Sequence, residues 1–127
     1  MEDYIKKVIR TESGDFEEIS KKLSTTVIIR LLHAAMGINT ESGELTDMLK
    51  RYIFYGAPID RVNAIEELGD IMWYIGIACH ALNTTIEELM ETNISKLKIR
   101  YPEKFSKLNA LDRDLENEHI ILEGEEK

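Results

Sequence analysis

Apolar residues recur along this chain at three- and four-residue steps, the spacing of one helical face, and nowhere in the strict alternation of a half-buried strand. Between about Thr25 and Phe54, Ile28, Leu31, Leu32, Ala35, Ile38, Leu45, Met48, Leu49 and Tyr52 predict one long helix. Tyr55-Gly-Ala-Pro58 supplies a turn. Asp60 then suits the N-cap of a second long helix, which carries Val62, Ile65, Leu68, Ile71, Met72, Ile75, Ala78 and Leu82 and ends near Asn83. Thr84-Thr-Ile-Glu87 has the form of a capping box, in which a hydroxyl and a carboxylate satisfy backbone N–H groups at a helix start. The third helix that it opens stops at about Arg100, because the residue before Pro102 is disfavoured in the helical region.

The ends of the chain are less regular. Met1 to Arg10 reads as a short helix and Thr11 to Asp15 as a loop, while the stretch up to Ser24 has no decisive pattern. From Lys107 the chain is polar and charged, with a weak amphipathic stretch at Leu111, Leu115 and Leu122 that suits a short helix, a docking arm or a frayed tail. The expected fold is all-α: a helical bundle of three main helices with short terminal helices, in one domain over residues 1–106 and a charged tail over 107–127. Three helices with broad apolar faces leave at least one face uncovered, so self-association is expected to complete the bundle.

Composition narrows the function. A length of 127 residues permits one compact core. An apolar fraction of 43% is too high for a disordered acidic chain. With 24 acidic against 16 basic side chains and a net charge of −8, the chain is unsuited to gripping a nucleic-acid polymer, whose phosphates are held by clustered Lys and Arg. The nearly apolar run Ile71 to Leu82 is too short to span a bilayer, and the start Met1-Glu-Asp-Tyr lacks the basic and apolar regions of a signal peptide. The single cysteine, Cys79, sits in an apolar stretch and reads as a buried core thiol. A cytoplasmic protein with no membrane partner is expected.

The acids carry the candidate chemistry. Two acids three residues apart share a helical face, but chance alone gives about four such pairs at this composition and seven occur. A more selective signal is an internal echo: Glu41-Ser-Gly-Glu44-Leu in the first long helix and Glu67-Leu-Gly-Asp70-Ile in the second. Each has a glycine, Gly43 or Gly69, that costs a helix about 1 kcal/mol relative to Ala, and close helix approach is a natural reason for it. If the hairpin turns near Ala57, Glu44 and Asp70 arrive at the same level. Both pairs interrupt core-facing stripes, Ala34, Ile38, Leu45 and Met48 in one helix and Ala64, Ile71, Tyr74 and Ile77 in the other.

Carboxylates gathered in a low-dielectric interior must take up protons or be neutralised by cations. Four oxygen donors suit a hard ion, Mg²⁺ or Mn²⁺, over Zn²⁺ or Cu²⁺. The bland alternative is that both pairs sit at stripe edges facing water or Lys. On the third helix Asn93, Lys96 and Arg100 share one face, a set that suits phosphate oxygens and equally describes a solvated basic face.

Taken in order, Glu41-x-x-Glu44, Glu67-x-x-Asp70 and Asn93-x-x-Lys96-x-x-x-Arg100-Tyr-Pro102 resemble the MazG-like members of the all-α NTP pyrophosphatase superfamily. Leu-Leu-His33-Ala-Ala before them and Asp70-Ile-Met-Trp73-Tyr between them belong to the likeness, which covers roughly Leu31 to Phe105. Many relatives have a further Glu just before the first motif glutamate, where this chain has Thr40. The resemblance implies Mg²⁺-dependent hydrolysis of a nucleoside triphosphate, a deoxynucleotide first, to monophosphate and pyrophosphate, by a homodimer or homotetramer. In that reading Glu41, Glu44, Glu67 and Asp70 hold the metal and Glu41 is the candidate general base. Lys96, Arg100 and Asn93 hold phosphates, His33 and Trp73 flank the sugar or base, and Lys50 approaches the phosphates or is a surface charge. The competing expectation is a non-catalytic helical module that only self-associates.

Overall fold

The computed structural model describes residues 2–124. Met1, the predicted start of the first helix, and residues 125–127, the end of the predicted tail, lie outside the described residues. Seven helices and no strand make up the described chain: α1 Glu2–Ile9, α2 Phe16–Leu23, α3 Thr26–Tyr55, α4 Arg61–Ala81, α5 Ile86–Arg100, α6 Lys107–Leu111 and α7 Leu115–Glu123. The fold is all-α, as the periodicity predicts.

α3 and α4 form the backbone of the molecule, an antiparallel hairpin with the most extensive packing in the chain. The 30 residues of α3 make a rod of about 45 Å. It stops at Gly56, which takes a left-handed conformation (φ 70°) open to glycine at little cost, and its N–H closes the last turn on the Arg51 carbonyl. Asp60 caps α4 by accepting from the N–H groups of Val62 and Asn63, each at 3.0 Å. α4 ends at Ala81, with Asn83 in the left-handed region (φ 56°) that Asn tolerates better than most residues.

Three expectations shift. The capping box of α5 lies one residue later than predicted: Thr85 caps the Glu88 N–H at 3.1 Å, and Glu88 accepts from the Thr85 N–H at 3.0 Å. Thr84 is drawn into the end of α4, where its N–H reaches the Cys79 carbonyl at 3.0 Å. The undecided stretch before Ser24 is helical, with Asp15 capping the Glu18 N–H.

The glycine expectation also changes. A Cβ on Gly43 or Gly69 would meet nothing within 4 Å, whereas one on Gly37 would fall 2.2 Å from the Tyr74 ring. The close approach of α3 and α4 is therefore at Gly37, where the Tyr74 ring lies against bare backbone.

Ala34, Met48 and Cys79 are the buried apolar side chains among the described residues, the last as expected of a core thiol. The chain exposes 10840 Å², whereas a compact monomer of 14.7 kDa exposes about 6,900 Å². Ile65, Leu68 and Met72 form an exposed apolar stripe along α4, and α1 presents Tyr4, Ile5, Val8 and Ile9 to solvent. Among the described residues, no helix is long and apolar enough to cross a membrane.

α5 touches α4 lightly and packs mainly against α7. The C-terminal stretch is therefore a docked helix.

Candidate functional site

The hairpin gathers acids at mid-height. Glu41 of α3 and Glu67 and Asp70 of α4 each place a carboxylate oxygen within 4.8 Å of the others. The i, i+3 spacing puts Glu67 and Asp70 on one face of α4, and hairpin register brings Glu41 opposite. That register differs from the expectation. Arg30 with His80, Gly37 with Tyr74 and Glu41 with Asp70 centre the hairpin near residue 55, so Glu41, not Glu44, is level with Asp70. The reason is geometric: the connection after Gly56 is non-helical, and extended residues advance about 3.3 Å each against 1.5 Å in a helix, so the strap climbs back beside α3 before α4 begins.

Glu67 is 4% exposed. Burial pushes its carboxyl above the ordinary 4.5, and the charges of Glu44 and Glu41 push it the same way. Asn63, one turn earlier on α4, opposes this by donating from Nδ2 to Glu67 Oε1 at 2.5 Å. Among the described residues no ion pair joins Glu41, Glu44, Glu67 or Asp70 to a cationic side chain.

The donor set fits a hard divalent cation. Three carboxylate oxygens within 4.8 Å of one another are the all-oxygen donors that Mg²⁺ takes, and they would draw closer to share one ion. Glu44 is exposed, close enough to raise the Glu67 pKa, and lines a cleft of about 640 Å³ with Asp47, Arg51, Asn63 and Glu66 at the turn end of the hairpin. The Thr40 hydroxyl lies 2.8 Å from the Gly37 carbonyl and 3.2 Å from Glu41 Oε1; its one proton is shared between them, the carbonyl being the nearer, so Glu41 has a neutral neighbour.

The other candidates are spread more widely. His33 and Tyr74 meet edge to face at 5.6 Å, and Trp73, 60% exposed, meets Tyr74 in the same way at 5.0 Å. Lys50 pairs with Asp47 at 2.5 Å, and Arg51 is the cation that lines the cleft beside Glu44. Asn93 and Lys96 line a groove of about 380 Å³ between α5 and α7, with Leu122 opposite.

Arg100 is engaged. Its Nε and a terminal nitrogen hold the two oxygens of Glu118 at 2.8 and 2.5 Å, and Arg113 holds the same carboxylate at 2.6 Å. Glu118 is 2% exposed, and the two guanidiniums, Arg100 foremost, hold its carboxyl down at about 2. Glu118, Arg113, Asn63 and Arg51 are site neighbours that sequence reasoning missed. Only Asn63 had a local signal, its i−4 spacing from Glu67.

The sequence pattern of the MazG nucleotide pyrophosphohydrolase domain matches residues 31–105, from the middle of α3's first half through the end of α5. No curated protein and no solved structure compared with the chain matches it. With the paired acids of the hairpin and the Asn93, Lys96 and Arg100 face inside the matched span, the chain belongs to the MazG nucleotide pyrophosphohydrolase family.

Proposed function

We propose that this chain is a Mg²⁺-dependent nucleoside triphosphate pyrophosphohydrolase that acts first on deoxynucleotides, with Mn²⁺ as a possible substitute. The observation that carries the proposal is Glu67: a buried carboxylate flanked by acids, with no cationic side chain paired to it. Charge of that kind calls for a cation from outside. In this reading Glu41, Glu44, Glu67 and Asp70 hold the ion, which when bound offsets the charge of the triphosphate and of the transition state.

The chain's own side chains supply the rest. Water adds at the α-phosphorus, the bond from that phosphorus to the α–β bridging oxygen breaks, and monophosphate and pyrophosphate leave. Glu41, half-buried and with the Thr40 hydroxyl at one oxygen, takes the proton that the water loses. Lys96 and Arg100 bind phosphate oxygens with Asn93 as an uncharged donor, and Lys50 assists from α3. Trp73 and His33, both in contact with Tyr74, present aromatic surface to the sugar or base.

The catalytic unit is residues 1–106 in a homodimer or homotetramer, in the cytoplasm. The excess exposed area, about 3,900 Å² over a compact monomer, exceeds what one partner buries in a standard interface, about 800 Å². A module that only self-associates would account for the exposed stripe on α4 but leaves Glu67 without explanation.

The test is a panel of NTPs and dNTPs with and without Mg²⁺, read for pyrophosphate against orthophosphate. Mg²⁺-dependent pyrophosphate is expected from at least one deoxynucleotide. None from any substrate sinks the enzyme reading.

A further inference from the structure

The face of α5 assigned to phosphate is the face on which α7 docks. Arg100 is clamped to Glu118, while Asn93 and Lys96 line a groove that Leu122 of α7 flanks. We propose that α7 is a latch over this face, in which the Glu118 carboxylate occupies the Arg100 guanidinium until a triphosphate displaces it. The proposal rests on the reading of Asn93, Lys96 and Arg100 as phosphate ligands.

Three features make the contact an exchangeable latch and not a permanent brace. First, Glu118 meets Arg100 through two parallel N–H···O bonds, the geometry with which Arg also takes phosphate, so carboxylate and phosphate compete for the same donors. A triphosphate brings several negative charges against one, and it gains Lys96 as well. Second, Glu118 has another guanidinium on its own segment. Arg113, five residues earlier, holds Glu118 at 2.6 Å, so the pair leaves together and no charge is stranded without a partner, the usual penalty for breaking a buried ion pair.

Third, the apolar hold on the segment is thin. Leu108, Leu111, Leu115, Ile120 and Leu122 are all at least half exposed, and of the large apolar side chains of α7 Ile121 alone is partly covered. Beyond the ion pairs, the side-chain tie from this segment to α5 is the Asn109 amide donating to the Arg100 carbonyl at 3.0 Å. Both Asn109 and Glu118 therefore converge on Arg100. The segment also lies beyond residue 105, where the family match ends, so the latch is an addition to the catalytic unit.

Inorganic tripolyphosphate, which carries the charge of the substrate without base or sugar, is the probe. Its binding to the full chain in metal-free buffer is measured by calorimetry for the wild type, Glu118→Gln and Lys96→Ala. Glu118→Gln is expected to bind about tenfold tighter, the gain from raising an open fraction of about a tenth to near one. In the wild type, saturating tripolyphosphate is expected to speed amide exchange over 115–123 and leave α3 and α4 unchanged, a readout that does not depend on any variant.

Unchanged or weaker binding by Glu118→Gln, or unchanged exchange over 115–123, overturns the latch. If that happens while Lys96→Ala weakens binding, the phosphate face stands and only the latch falls. If Lys96→Ala binds tripolyphosphate as the wild type does, the phosphate reading fails and the latch with it.

Discussion

Two buried glutamates in this molecule have opposite surroundings. Glu118, 2% exposed, lies between Arg100 and Arg113, and its carboxyl is held down at about 2. Glu67, 4% exposed, lies among Glu41, Glu44 and Asp70, and burial and the neighbouring acids push its carboxyl up. A buried carboxylate is tolerated when positive charge meets it. At α5 and α7 the chain provides that charge itself, whereas in the α3–α4 hairpin Glu67 has, among the described residues, the neutral Asn63 amide. One site is complete within the chain, and the other, in the function proposed above, is completed by a cation.

The sharpest way to break this contrast is to neutralise each glutamate's surroundings in turn. Glu67→Gln is expected to lower turnover at least about a thousandfold, the scale of losing charge stabilisation at a reacting phosphate. Without divalent metal the same variant should melt no earlier than the wild type, since it removes an uncompensated charge. Steady-state pyrophosphate release and a thermal melt check both halves. Earlier melting would show that Glu67 is already satisfied within the chain.

Arg100→Ala does the opposite at the other site, leaving Glu118 with Arg113 alone. Amide exchange over 115–123 should rise while α3 and α4 hold, and triphosphate affinity should fall about ten- to a hundredfold, the worth of a charge-assisted contact. Protection of α7 that survives Arg100→Ala would mean that its apolar residues dock it.

A smaller effect is expected one step out from the acids. Asn63→Ala should weaken divalent-ion binding about tenfold, as loss of a hydrogen bond to a metal ligand commonly does, and leave α7 exchange unchanged. Mn²⁺ titration of the variant measures it.

The smallest effect is the response to acid, and its sign differs between the two sites. A carboxyl held low stabilises the fold above its ordinary pKa of 4.5 and loses that contribution as pH falls toward about 2, so α7 should stay docked at pH 5 and loosen only below about 4. A carboxyl pushed up stabilises below 4.5 and loses that contribution as pH rises through its raised value, so metal-free hairpin stability should decline there. Exchange rates over 115–123 and over α3 and α4, followed from pH 3 to 7, separate the two.

Much of the hairpin was legible because its signals are local. Periodicity marked α3, α4 and α5 to within a residue or two, and Asp60 and Gly56 punctuate the helices by chemistry visible in the chain. The echo of Glu41-x-x-Glu44 and Glu67-x-x-Asp70 pointed to acids meeting across a hairpin. What it missed was the register, because the rise of the strap between Gly56 and Asp60 depends on backbone conformation that residue counting ignores. The glycines mislead for a similar reason: Gly43 and Gly69 attract notice by their place in the echo, but only the facing Tyr74 ring reveals that Gly37 is where the helices meet. The Glu118 clamp left no local trace at all, since it joins residues 18 apart across two loops, α6 and the first turn of α7. Arg100 looked free in the sequence and is held in the fold.

The central claim is that the hairpin's acids take up a divalent cation because the chain leaves Glu67 uncompensated. Electron paramagnetic resonance of Mn²⁺ titrated into the metal-free protein at neutral pH tests it directly, with Glu67→Gln alongside and Mg²⁺ as competitor. The account predicts that the wild type binds Mn²⁺, that Mg²⁺ displaces it, and that Glu67→Gln binds at least about tenfold more weakly. Equal binding by the two proteins, or none by the wild type, would contradict it.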